Sequence, residues 1–201
     1  MTAPWDAFGL SLAAWEALGL PVRLGLAAAL HAGWAYGAGR FPYRCGAIPS
    51  NLVDPEARTT NCTTFATALL SAAYPSAAWT SAEYAELQLF EGVFPARPLA
   101  PLDAVERVRV GVRVSDPVAG SWHLAQGWRT LGVRNPDGTW KVRPSGHGFL
   151  VRAGSGDSLT ILQATNVGAN GPTWTPRTWP ALRTQYKAAF GLARLLEGVA
   201  P

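Results

Sequence analysis

With 201 residues, 48% of them hydrophobic and only 15% charged, the chain is sized for one domain, or one domain with a large insertion, and can bury a sizeable core. A net charge of +4 and a pI near 9.4 favour acidic partners such as cell walls, membranes or nucleic acid. The 17 basic residues are spread along the chain, with no zinc-finger spacing, Arg-rich arm or aromatic RNA-binding signature, so no nucleic-acid partner is expected.

Residues 1–33 are apolar but lack a basic n-region, carry Asp6 and Glu16, and break at Gly19-Leu20-Pro21. They do not read as a signal peptide. Arg23 interrupts the best apolar run, so no membrane span is expected. The chain reads as one made soluble in the cytoplasm; work at a cell wall would require a phage or secretion route. Residues 5–19 read as a short amphipathic helix, and 21–35 as a second with Pro21 in its first turn. Residues 36–60 are a loop punctuated by Gly and Pro. A helix runs from Cys62 to about Tyr74, where Pro75 stops it. Ser81–Glu91 is another helix candidate, followed by a Pro-rich connector at 95–101. Val108, Val110, Val112 and Val114 alternate with Arg107, Arg109, Gly111 and Arg113, the period of a strand with one basic face. Ser121–Arg129 has Trp122, Leu124, Gln126 and Trp128 on one side of a second strand. Asn135-Pro136-Asp137-Gly138 is a turn. His147–Arg152 and Leu159–Thr165 form a hairpin around residues 154–157. Residues 171–180 read as irregular, and Pro180–Glu197 as a final helix. Helices first and an antiparallel sheet second argue an α+β fold. The expected organisation is a single domain, 1–201, with N-terminal helices at 1–35, an insertion at 76–118, and an irregular segment and helix at 171–201.

The chemistry concentrates at Asn61-Cys62-Thr63-Thr64. Asn61, Thr60 and Thr59 are all competent N-caps, so Cys62 opens a helix. There the dipole and the unpaired N–H groups favour the thiolate, which is the nucleophile. The polar neighbours are an unusual jacket for a core cysteine. His147, flanked by Gly146 and Gly148, has room for a thiol and a substrate and is the candidate base. A polar residue on the next strand would orient its ring: Gln163 is favoured, with Asn166 as the rival. His31 in an Ala/Leu helix reads as a packing residue, and His123, on the strand that carries Trp122 and Trp128, as structural or a substrate contact. Cys45 sits in a loop with no helix behind it and is not expected to be catalytic. No Cys/His pair has metal-ligand spacing, so no metal is expected. Arg107, Arg109 and Arg113 offer a basic face to an anionic substrate, although such a face is more often simply solvated.

These residues resemble the NlpC/P60 family of papain-like cysteine peptidases and amidases. Pro42-Tyr43-Arg44-Cys45-Gly46 resembles the family's aromatic loop, Asn61-Cys62-Thr63-Thr64-Phe65 its cysteine helix, and His147-Gly148-Phe149-Leu150 its histidine strand. Leu162-Gln163-Ala164 stands where the family carries its third polar residue. Asn61 replaces the usual Asp, Thr63-Thr64 replace Ser-Gly, and the 85 positions from Cys62 to His147 are more than a minimal domain needs. The resemblance covers residues 24–166. It implies a papain-like NlpC/P60-type fold and an amide hydrolase acting on peptidoglycan stem peptides. Cys62, His147 and Gln163 would be catalytic, and Tyr43, Asn61, Trp122 and Asn166 would contact substrate. No cofactor is implied, and a protein partner for delivery or inhibition is compatible with it. An acyltransferase on the same fold and a non-catalytic wall- or partner-binding module are the alternatives.

Overall fold

Twelve consecutive residues, Cys62–Ala73, form a helix that is buried along its whole length, and the rest of the molecule is arranged around it. The computed structural model describes residues 3–41, 43, 53–54, 56, 58–87, 97–165 and 170–199. After a 3-10 turn at Asp6–Phe8 come α1 (Leu12–Glu16), α2 (Leu20–Ala29), β1 (Ala35–Tyr36), β2 (Thr59–Thr60), the buried helix as α3, α4 (Ser81–Leu87) and α5 (Ala100–Arg107). Then follow β3 (Gly111–Val114), β4 (Trp122–Thr130), β5 (Val133–Arg134), β6 (Trp140–Val142), β7 (Ser145–Ala153), β8 (Ser158–Thr165), β9 (Gly171–Thr178), α6 (Trp179–Gln185) and β10 (Ala189–Leu195). The fold is α+β, built on a six-stranded sheet of order β3-β10-β4-β7-β8-β9. Every neighbouring pair in that sheet is antiparallel. Among the described residues, no helix is long and apolar enough to cross a membrane.

The sheet separates two apolar clusters, and strand periodicity assigns each residue to one face. Trp122 and Leu124 of β4, Leu150 of β7 and Leu162 and Ala164 of β8 pack with α2 and α3 in the larger cluster. Ala125, Phe149, Val151, Leu159 and Ile161 face the other way, against Leu182 and Tyr186 at the α6 side. Both ends of α3 are held by side chains. Asn61 Oδ1 accepts the Thr64 N–H at 2.9 Å, the N-cap its sequence suggests. At the other end Trp15 Nε1 donates to Ala72 O at 2.7 Å and buried Arg23 donates to Ala73 O at 2.5 Å. These groups satisfy carbonyls that the helix itself cannot pair, and the cation sits where the dipole favours it.

Four expectations are corrected. The 5–19 helix is a 3-10 turn and the five-residue α1. The Val108–Val114 alternation is not one strand: α5 ends at Arg107, Arg109 bends the chain at φ 60°, and only Gly111–Val114 is extended. Residues 171–178 are not irregular but form the edge strand β9, where Pro172 and Pro176 cost no ladder bond on the open side. Finally, 180–197 is not one helix. It splits into α6 and β10, and β10 inserts between β3 and β4. Leu192 packs on one face of the sheet and Ala193 and Leu195 on the other, so a strand buried on both faces shows no alternation. The 76–118 segment contributes α4, α5 and β3 to the same core and sheet. Two arginines of the expected basic face meet the protein's own acids: Arg107 pairs with Glu83 and Glu86, and Arg113 with Asp103 and Glu106.

His31 is fully buried, edge-on to Trp34 and Phe65, and burial lowers its pKa to about 4. An unfolded histidine titrates near 6.5, so the unfolded chain binds the extra proton between those values. Stability is therefore full above about pH 6.5 and falls as pH drops towards 4, by about 3 kcal/mol through this residue. Urea unfolding at pH 7 and pH 4 should show His31→Leu losing less stability on acidification than the parent; equal losses would show that His31 does not govern this window.

Candidate functional site

The site is assembled where the N-terminus of α3 presses on β7. Gly148 of β7 lies opposite Gln126 of β4. A Cβ on Gly148 would stand 3.1 Å from Gln126 Oε1 and 3.6 Å from Thr63 Cγ2, so glycine here lets the helix end approach the strand closely. β7 and β8 are paired only from Leu150↔Leu162 to Ala153↔Leu159. The strands part before Gly148, and its N–H is given to the sulfur of Cys62. The thiol is buried at 2% exposure. Its other polar neighbours are the N–H groups of Cys62 and Thr63 and the hydroxyl of Tyr36, which donates to Sγ at 4.0 Å. These donors pull the thiol pKa down, but burial is the larger effect and the net shift is upward. The low-pKa thiol expected from the helix start is therefore not the resting state; desolvation outweighs the helix terminus.

His147 is the residue before Gly148, and by strand alternation its side chain belongs to the other face. Its ring lies 5.2 Å from that of Phe149, on the α6 side. Nε2 is 2.6 Å from Gln163 Oε1. Gln163 Nε2 in turn reaches the Thr175 hydroxyl at 3.4 Å, which sets the amide with its oxygen towards the imidazole. Burial, with help from the Arg129 charge, lowers the His147 pKa to about 4. The ring is thus neutral, and because Oε1 can only accept, Nε2 carries the proton and Nδ1 keeps its lone pair. Among the described residues, no hydrogen bond joins Sγ to the imidazole. Tyr36, whose hydroxyl reaches Sγ, also lines the cleft beside the imidazole.

The structure thus brings His147 and Gln163 together and sets Cys62 beside Gly148. The other candidates fall elsewhere. Asn61 is a cap: its Oδ1 accepts from the Thr64 N–H and the Thr63 hydroxyl, both at 2.9 Å. Tyr43 is corrected from pocket wall to core residue. It is 3% exposed, and its hydroxyl donates to Ala68 O at 2.8 Å. Trp122 is likewise a core residue, 4% exposed, packed against Trp174 and paired with Arg152. That is five positions along the strand from His147, about 17 Å at the usual rise. Asn166 and Cys45 lie outside the described residues. His123 is buried and its Nε2 accepts the Val118 N–H at 3.0 Å. Tyr36 is the aromatic residue beside the thiol. The sequence signal for it was an aromatic in the glycine-punctuated 33–39 stretch, ahead of the Tyr43 loop that the family pattern favours.

Comparison with protein-family models finds none that matches this chain, and comparison with curated proteins finds no match either.

The His147–Gln163 bond predicts a single imidazole tautomer. Nitrogen-15 NMR of labelled histidine should find His147 neutral and protonated at Nε2 at pH 6. Gln163→Leu should leave the ring neutral, because burial is the larger cause, but mix the tautomers. An unmixed Nε2–H tautomer in Gln163→Leu would show that Gln163 does not set it.

Proposed function

We propose that the chain is a cysteine hydrolase that cleaves an amide bond, with Cys62 as nucleophile, His147 as base and Gln163 as the residue that positions the imidazole. The observation that carries this reading is convergence on β7: the sulfur accepts the Gly148 N–H while the neighbouring His147 has its tautomer set by Gln163. The order of cysteine on a helix, histidine on a strand and amide on the next strand supports it. The substrate class, peptidoglycan stem peptide, rests on the resemblance to NlpC/P60 enzymes alone. It would place the work at the cell wall, reached by a phage or secretion route.

In this reading Nδ1 takes the Sγ proton as sulfur attacks the amide carbon and the S–C bond forms. The N–H groups of Cys62 and Thr63 are donors at hand for the oxyanion. The C–N bond then breaks as the imidazolium returns its proton to the leaving amine, which leaves a thioester. Nδ1 next takes a proton from water, the oxygen attacks the thioester carbon, and the S–C bond breaks. The acid departs and the thiolate recovers the proton. The resting site requires sulfur and ring to close on each other once substrate is bound; catalytic hydrogen bonds are commonly long in free enzymes. Transfer of the acyl group to an amine instead of water would use the same residues.

One observation favours a second reading, a binding module with a structural thiol: burial raises the thiol and no hydrogen bond joins it to the ring. Cleavage of muropeptides followed by mass spectrometry separates the two. Cys62→Ala and His147→Ala should each lower turnover by about 10³-fold or more, and Gln163→Ala by about 10- to 100-fold with KM little changed. An added amine acceptor that appears in the product would identify a transferase. Cleavage by the parent no faster than by Cys62→Ala would sink the hydrolase and leave the binding module.

A further inference from the structure

The cleft beside His147 lies on the α6 side of the sheet. It has a volume of about 320 Å³ and is lined by Tyr36, Arg129, His147, Gln163, Arg177 and Tyr186 among others. No Asp or Glu lines it. The six ion pairs found among the described residues all lie elsewhere, between Arg97, Arg107, Arg113 and the acids of α4 and α5. Arg129 and Arg177 form none. Arg129 rests over the Tyr186 ring at 5.8 Å and hydrogen-bonds the Tyr186 hydroxyl, and among the described residues Arg177 donates to the adjacent Pro176 carbonyl at 3.2 Å. Both are exposed at the cleft. The connection between β4 and β7 that leads into the cleft wall adds Arg134, Lys141 and Arg143. Its one acid, Asp137, is occupied by the Thr139 N–H at 2.9 Å and hydroxyl at 2.6 Å. The charged residues that line the opening itself are Arg129 and Arg177, both cationic.

We propose that Arg129 and Arg177 form an oxyanion subsite, so that the acyl substrate carries a carboxylate or phosphate group beside the bond presented to His147. Two guanidinium forks facing one cleft suit planar, bidentate capture of such a group. The alternative use of an unpaired surface arginine is solvation, but solvation does not require two of them to share a concave wall with the imidazole. A bound anion would also offset the Arg129 charge that helps to keep His147 neutral. The inference deepens the hydrolase reading, on which the word substrate rests; the anion subsite itself rests on the cleft.

The test uses the full chain carrying Cys62→Ala, which has no nucleophile, so binding is read apart from turnover. Three N-acetyl dipeptides that differ in one side chain (glutamyl, phosphoseryl and the neutral glutaminyl) are titrated by calorimetry at low and moderate salt. At least one acidic peptide should bind about tenfold or more tightly than the neutral one, with the advantage shrinking as salt rises. Which acidic peptide wins names the source of the oxyanion. Arg129→Gln with Arg177→Gln should abolish the preference. Arg177→Gln alone, at the sheet edge and clear of the Tyr186 ring, should weaken it several-fold without altering the thermal transition. In NMR, the bound anion should make His147 protonate at higher pH. Equal binding of all three peptides, or a preference that survives the double substitution, overturns the proposal. A parent chain that cleaves nothing yet shows the arginine-dependent preference would remove the hydrolase and keep the subsite.

Discussion

The close approach of α3 to Gly148 is the contact on which the site depends. A strand N–H would ordinarily be paired with its neighbour strand, and a residue with a side chain would hold the helix away. Here β7 and β8 part beyond Leu150↔Leu162, and Gly148 offers no side chain to Thr63. One separation of two strands therefore does two things. It frees a donor for the sulfur at the start of α3, and it opens the mouth in which His147 reaches Gln163. The same glycine could not be lengthened without moving either the helix end or Gln126.

The approach is held from a distance as well. Arg23 and Trp15 take the last carbonyls of α3, and Tyr74 donates to Leu196 O at 2.5 Å, so the helix is tied to the chain after β10. Arg23 also donates to Glu197 O at 2.6 Å. β10 in turn fills the centre of the sheet between β3 and β4. The position of the thiol is thus fixed by residues near both ends of the sequence, and loosening β10 would be felt at Cys62. A buried cation bonded to the carbonyls of Ala73 and Glu197 is costly to break, since removal of either partner leaves a desolvated group without its hydrogen bond.

The strands and helices that were legible in the sequence are those whose pattern is local. The Asn61 cap, the Pro75 stop, the 135–138 turn and the 154–157 hairpin each declare themselves within a few residues. The Gln163 partnership with His147 was also legible, as a polar residue on the next strand. What was not legible depended on tertiary position. β10 carries apolar residues on both faces because an apolar cluster covers each side of the sheet, and a helix has no reason to look different over so short a run. β9 tolerates two prolines only because it is the outer strand. Trp122 was grouped with Leu124 on one side of its strand, as the core has them, but distance along the strand was invisible, and Trp122 packs with the core rather than the site. Tyr43 and Tyr36 could not be ranked without knowing which of the two lies near the α3 terminus.

Burial acts on the thiol and the imidazole in opposite senses on the pKa scale and in one sense chemically. It raises Cys62 and lowers His147, so both favour the uncharged pair. Tyr36 follows, its hydroxyl pushed up to about 12 by burial and by the thiol beside it, and it remains a donor. A resting site of three neutral groups is poorly nucleophilic and resists oxidation, because the thiolate is the reactive species. Ionisation then needs a compensating charge or dipole brought in from outside. Within the hydrolase reading, the donors already pointing at sulfur, from Cys62, Thr63 and Gly148, are arranged to stabilise negative charge as soon as a proton acceptor comes within reach. Reactivity would then be conditional on the ligand that closes Nδ1 onto sulfur, and the unmade bond of the free protein would be the feature that keeps the nucleophile silent until that moment.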